Sequence, residues 1–114
     1  MSRTDEELIR DALNHIDALK RHLERADLSD ETVADAVSLR LAAAIESLAQ
    51  TTASFRETTF GAEWRDMWAT RNRIAHGYTY IDLTLITGTV EQDLPAVEKK
   101  LRAALRSESG AGAG

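Results

Sequence analysis

The segment Trp64-Arg65-Asp66-Met67-Trp68-Ala69-Thr70-Arg71-Asn72-Arg73-Ile74-Ala75-His76-Gly77-Tyr78 gathers most of the chain's unusual chemistry. It holds both tryptophans, three arginines, and a histidine flanked by an asparagine and a tyrosine. A guanidinium forks onto phosphate in bidentate fashion, and an imidazole titrates near neutral pH. Arg71 together with His76 therefore suits a phosphodiester that must be held while a proton moves. In RNA the neighbouring 2′-hydroxyl can serve as nucleophile, which leaves the protein to transfer protons and to stabilise charge at phosphorus. Arg71 would do the second, His76 the first, and Asn72 would orient either the imidazole or a sugar hydroxyl. No metal ion or other cofactor is needed for such a reaction.

The element that carries these groups constrains them. Trp64, Met67, Trp68, Arg71, Ala75 and Tyr78 follow the three-and-four spacing of one helical face, so the segment begins as a helix with its apolar side inward. At about 100° per residue, Arg71 and His76 stand roughly 140° apart around an unbroken helix and cannot converge on one small ligand. Two arrangements solve this. Gly77 can follow the helix end in the left-handed conformation and free His76 and Tyr78 from helical geometry. Alternatively, a second chain brings its own copy alongside and pairs the arginines and histidines across an interface.

The string Arg71-Asn72-Arg73-Ile74-Ala75-His76-Gly77-Tyr78 resembles the Arg-x4-His motif of the HEPN superfamily, in the HepT-like version with a tyrosine two places after the histidine. Tyr80-Ile81-Asp82 and Asp93-Leu94-Pro95 also resemble that subgroup, and the helical pattern agrees over most of residues 4 to 106. A bare Arg-x4-His recurs by chance, whereas the extended string after a tryptophan-bearing helix is far more specific. One departure is Thr70, which stands where a bulkier apolar residue is often found. The resemblance implies a small all-helical homodimer with metal-independent endoribonuclease activity, in which Arg71 and His76 are catalytic. It also implies the toxin of a bacterial toxin–antitoxin pair of the type VII kind. The partner there is a minimal nucleotidyltransferase, which silences the toxin by adding AMP to the tyrosine corresponding to Tyr78. A second reading is a non-catalytic helical subunit that binds the nucleotidyltransferase through the same motif.

Composition bounds these readings. With 114 residues the chain is expected to form one domain, over residues 1–106, that buries about two-thirds of its unfolded surface. The absence of cysteine excludes disulfides and thiolate metal sites and fits a reducing cytoplasm. No apolar run approaches membrane-spanning length, and Met1-Ser2-Arg3 leads directly into polar residues, so neither a membrane span nor a signal peptide is expected. A net charge of −5 argues against broad nonspecific binding of nucleic acid. The acids concentrate in residues 5 to 35, however, so Arg65 and Arg73 can still add weak local attraction for RNA beside Arg71. Metal-dependent hydrolysis is disfavoured, because His15 and His22 lie about 10 Å apart along a helix and no other ligand spacing occurs.

The remaining elements read as scaffold for an all-α, up-and-down bundle of four to five helices. Thr4, with Glu7 three residues on, opens a helix that carries Leu8, Ile9, Ala12, Leu13, Ile16, Leu19 and Leu23 inward and ends near Arg25. Residues 26 to 30 suit a turn, and a second helix runs from about Asp30 to Thr52 with Val33, Val37, Leu41, Ala44, Ile45 and Leu48 inward. Ala42-Ala43-Ala44 permits close approach of another helix, the partner subunit included. Between Thr51 and Gly61 regular helix bends or breaks, with Phe55 and Phe60 as core plugs rather than base-stacking platforms. Residues 79 to 89 include good strand formers, yet Leu83, Ile86, Val90, Leu94, Val97, Leu101 and Ala104 recur at helical steps behind Asp82, a natural N-cap. This predicts a helix from about Asp82 to Gln92, a fresh start capped by Asp93 with Pro95 in its first turn, and a last helix to about Arg106. Residues 107–114 form an expected flexible tail.

Overall fold

Thr4 starts the first helix as its spacing predicts: its backbone is extended, and its hydroxyl accepts a hydrogen bond from the Glu7 amide at 3.1 Å. The computed structural model describes residues 3–77 and 81–113, with side chains as far as residue 107. Helix α1 (Asp5–Arg25) places three acids in its first turn and His22 and Arg25 in its last, each matched to the helix dipole. After a turn in which the Asp27 carboxylate accepts from the Ser29 amide, Asp30 caps α2 (Glu31–Ala49) through the Val33 amide at 3.0 Å. The two helices pack antiparallel. Ile9, Ile16, Leu19, Val37 and Leu48 are essentially removed from solvent along their seam. Each such Leu or Ile contributes roughly 1.5–3 kcal/mol of burial.

Helix α2 stops at Ala49, short of the expected Thr52, for a reason remote from its own propensity. The Arg56 side chain reaches back and donates to the carbonyls of Ala49 and Thr51, while the Thr51 hydroxyl takes the Leu48 carbonyl. These groups satisfy the helix end in place of another turn. Thr52 is then free to cap α3 (Ala53–Thr59) through the Phe55 amide. The Asp5 carboxylate accepts from both the Thr52 amide and its hydroxyl, at 2.9 and 2.8 Å, and so ties the starts of α1 and α3 together. Gly61, at φ +56°, supplies the left-handed residue that turns the chain from α3 into α4 (Glu63–His76). Phe60 is a core plug as expected, and Phe55 packs against the core from the side.

Asp82 caps the next helix through the Leu85 amide at 3.1 Å, and no strand forms among the described residues. From there α5 (Leu83–Gly88), a π-helical turn (Thr89–Asp93) and α6 (Leu94–Ala113) run without interruption. The break expected at Asp93 is not made. The chain instead widens by one residue in the turn just before Pro95, where the Leu94 amide bonds the Thr89 carbonyl. A wider turn relieves two problems together. It moves the carbonyl four residues back out of the way of the proline ring. It also aligns Ile86 and Leu94, which a regular helix would set about 80° apart, so that both are buried. Helix α6 continues past Arg106 to Ala113. It is tied to α1 by Lys20 and Asp17, which pair with Glu98 and Arg102. The described residues thus form an all-α bundle of five helical rods, with α5, the π turn and α6 counted as one.

Candidate functional site on α4

Helix α4 presents two adjacent stripes. The first continues a row of rings that begins on α3. Phe55 meets Phe60 edge-on, Phe60 stacks on Trp64 and Trp64 on Trp68, each pair with centroids 6.2 Å apart. The Arg71 guanidinium closes this row, 4.9 Å from the centre of the Trp68 ring. Arg56 lies over Trp64 in the same manner at 5.4 Å. Trp64 and Trp68 pack against the core but stay half-buried, and no residue of α4 is fully buried.

Arg71 is held on several sides. Its Nε donates to Glu46 Oε1 at 2.8 Å, its Nη2 donates to the same oxygen, and its Nη1 donates to Asn72 Oδ1 at 3.0 Å. With only 25% of its side chain exposed, this guanidinium has a defined orientation before any ligand arrives. Asn72 thus orients the arginine. Glu46, on the exposed side of α2, is a site residue that the sequence reading missed. Its one local signal is a carboxylate set among Ala42, Ala43 and Ala49 on the outer part of α2, and nothing in that pattern names a partner on another helix.

His76 is the last residue of α4 and is exposed. Because the helix runs unbroken from Arg71 to His76, the roughly 140° between them persists. Gly77 does not release His76: it follows the helix end at φ −90° and ψ 61°, outside the left-handed region, and its amide bonds the Ile74 carbonyl at 3.3 Å. That correction has a simple cause, since an i→i+3 bond closes the last turn without any positive φ. Arg73 points elsewhere and pairs with Asp82 at 2.7 Å, which straps the end of α4 to the start of α5 and offsets much of its charge. Arg65 is exposed on α4. Tyr78 lies outside the described residues.

The second stripe of α4, with Asp66, Met67 and Thr70, faces a cavity of about 260 Å³. Leu41, Ala44, Ile45 and Leu48 of α2 form its floor, and Glu63, Asp66 and Asp93 stand on its rim. Neither Arg71 nor His76 lines it. An acidic rim repels phosphate, so this cavity is not where a polyanion's backbone would sit. It does explain Thr70: the residue borders open space rather than packed core, and its hydroxyl is satisfied by the Asp66 carbonyl at 3.0 Å.

Among the described residues no group of three His, Asp or Glu side chains could hold a metal ion, and no helix is long and apolar enough to cross a membrane. No curated protein and no solved structure matches the chain. A family model does: the one described as Ribonuclease HepT-like matches residues 9–104, from α1 into α6, with Arg71, Asn72 and His76 inside the match. With most of its length so matched, the chain belongs to the HepT-like ribonuclease family.

Proposed function

We propose that this protein is a metal-independent endoribonuclease acting in the cytoplasm as the toxin of a bacterial toxin–antitoxin pair of the type VII kind. The observation that carries the reading is the pinned Arg71 within the Arg-x4-His string of a HepT-like ribonuclease. Arg71 holds the scissile phosphate and stabilises charge at phosphorus, His76 transfers the proton, and the RNA's own 2′-hydroxyl attacks. Since α4 holds Arg71 and His76 apart around one unbroken helix, the working site requires a homodimer that brings two copies of α4 together. The absence of any fully buried residue on α4 leaves surface for that contact. A minimal nucleotidyltransferase antitoxin would silence the enzyme by adding AMP to Tyr78.

One observation favours a second reading. Arg71 and Arg73 are each paired with a carboxylate in a chain of net charge −5, which lowers the attraction of this face for RNA. A non-catalytic helical subunit that binds the nucleotidyltransferase would tolerate that. The deciding experiment is RNA cleavage by the purified chain in the presence of a chelator, with Arg71→Ala and His76→Ala alongside, after intact mass has shown that no AMP is attached. Cleavage by the unmodified wild type and by neither variant is expected. Folded, unmodified, dimeric protein that cuts no RNA and does not slow growth on expression would transfer support to the binding-subunit reading.

A further inference from the structure

Arg71 has a partner whose role goes beyond an ordinary surface ion pair. Most exposed pairs contribute little, because both side chains are long, mobile and screened. Here the arginine side chain is 25% exposed, its guanidinium carbon lies over the Trp68 ring, and a single oxygen of Glu46 accepts from both Nε and Nη2. Asn72 takes a hydrogen from Nη1 at 3.0 Å. Of the five N–H donors on a guanidinium, these three bonds leave one on Nη1 and one on Nη2. Because Glu46 occupies the side edge formed by Nε and Nη2, the unused Nη2 hydrogen lies along the terminal edge.

We propose that Glu46 is a positioning residue. It clamps the side edge of Arg71 so that the terminal edge is presented to a phosphate group, with Trp68 and Asn72 completing the mount. Glu46 touches neither substrate nor reacting atoms; it acts through Arg71. The carboxylate also subtracts positive potential from the same place, so orientation is gained at the expense of attraction for the RNA backbone. These opposed effects give the clamp a signature that a purely structural role lacks. The inference rests on the ribonuclease reading where it concerns cleavage, and on geometry alone where it concerns the arginine.

Two measurements on the full chain separate those dependencies. In steady-state RNA cleavage, Glu46→Ala is expected to lower kcat by about 10- to 100-fold, the scale set by a misplaced catalytic group, while KM stays level or falls. Glu46→Gln, which keeps an acceptor oxygen without the charge, should lie between wild type and Glu46→Ala in kcat. In ¹⁵N-correlated NMR, the Arg71 Nε–H signal, assigned by its loss in Arg71→Lys, should stand apart from mobile arginines in wild type. It should merge with them in Glu46→Ala while the backbone spectrum remains that of a folded protein. A wild type that cuts no RNA but shows this NMR behaviour would remove the ribonuclease reading and leave the clamp in place. An Nε–H signal unaffected by Glu46→Ala, or a kcat that is unchanged or higher, would overturn the clamp; a higher kcat would mark Glu46 as a competitor for phosphate instead.

Discussion

Helices α1 and α2 and helix α4 share the same three-and-four pattern of large apolar residues, yet they use it differently. The α1–α2 pair removes Ile9, Ile16, Leu19, Val37 and Leu48 almost wholly from solvent, whereas α4, with both tryptophans and Met67, buries no residue fully. The first two helices complete each other. Helix α4 leans on α2 and leaves its broad rings half in water, stacked in a row that ends at Arg71. Stability is therefore concentrated in α1 and α2, and chemistry in a helix that the fold can support without consuming its surface. Damage to one region should leave the other's property largely intact.

The largest effect expected from that division lies on α4. Arg71→Ala should lower RNA cleavage by about 10³-fold, equivalent to about 4 kcal/mol of transition-state stabilisation. His76→Ala should do likewise. Both should melt within a few degrees of wild type, because neither residue belongs to the core. Next comes the mirror experiment in α1. Leu19 is 0% exposed, so Leu19→Ala should cost about 3–4 kcal/mol of unfolding free energy in a denaturant titration. Below its melting temperature the same variant should cleave RNA at close to the wild-type rate. Were Arg71→Ala to unfold as readily as Leu19→Ala, the contrast between the regions would be lost.

What could be read in advance follows the same line. The α1 stripe, the Thr4, Asp30 and Asp82 caps and the Arg71 to Tyr78 string are all local patterns, set by neighbours within a turn or two. The features that escaped depend on residues distant in sequence or on packing of both faces of an element. Glu46 meets Arg71 from another helix, and Arg56 ends α2 by reaching back to its last carbonyls. Gly77 suits a left-handed conformation by residue type, one of the two arrangements open from the sequence, but a tighter final turn makes it unnecessary. The π turn lets Ile86 and Leu94 be buried together, a register that no count of apolar spacing in a straight helix can express.

A smaller effect tests how α6 is held to the stable region. Burial works against the charge of Glu98, whose side chain is 16% exposed, but hydrogen bonds from Arg102 and Lys20 outweigh it and hold the carboxyl below the usual glutamate range. A carboxylate depressed by folding stabilises the protein at pH values above its unfolded pKa, and that contribution is lost as pH falls through the folded value. Glu98→Gln should therefore cost about 1–2 kcal/mol near neutrality. Denaturant titrations at successively lower pH should bring wild type and variant together. A gap that persisted after full protonation would show that packing, not charge, is what Glu98 provides.

The smallest change separates the two causes of the π turn. Pro95 is exposed and immediately follows the wide segment, so its missing amide and its ring are one candidate cause. The other is the core, which buries both Ile86 and Leu94 only if the helix falls behind its regular rotation between them. Pro95→Ala removes the first cause and leaves the second. The expected result is a retained π turn, with the Leu94 amide still bonded to the Thr89 carbonyl and, because the proline already sits there without a clash, a stability change below about 1 kcal/mol. Backbone chemical shifts and amide exchange across residues 89–94 would read this directly. The core should prevail because straightening the helix would rotate a buried Ile or Leu toward water, at a cost approaching the roughly 1.5–3 kcal/mol that full burial of such a side chain contributes. A regular α-helical pattern through residues 89–94 in Pro95→Ala would assign the turn to the proline and leave the burial of Ile86 and Leu94 as its consequence.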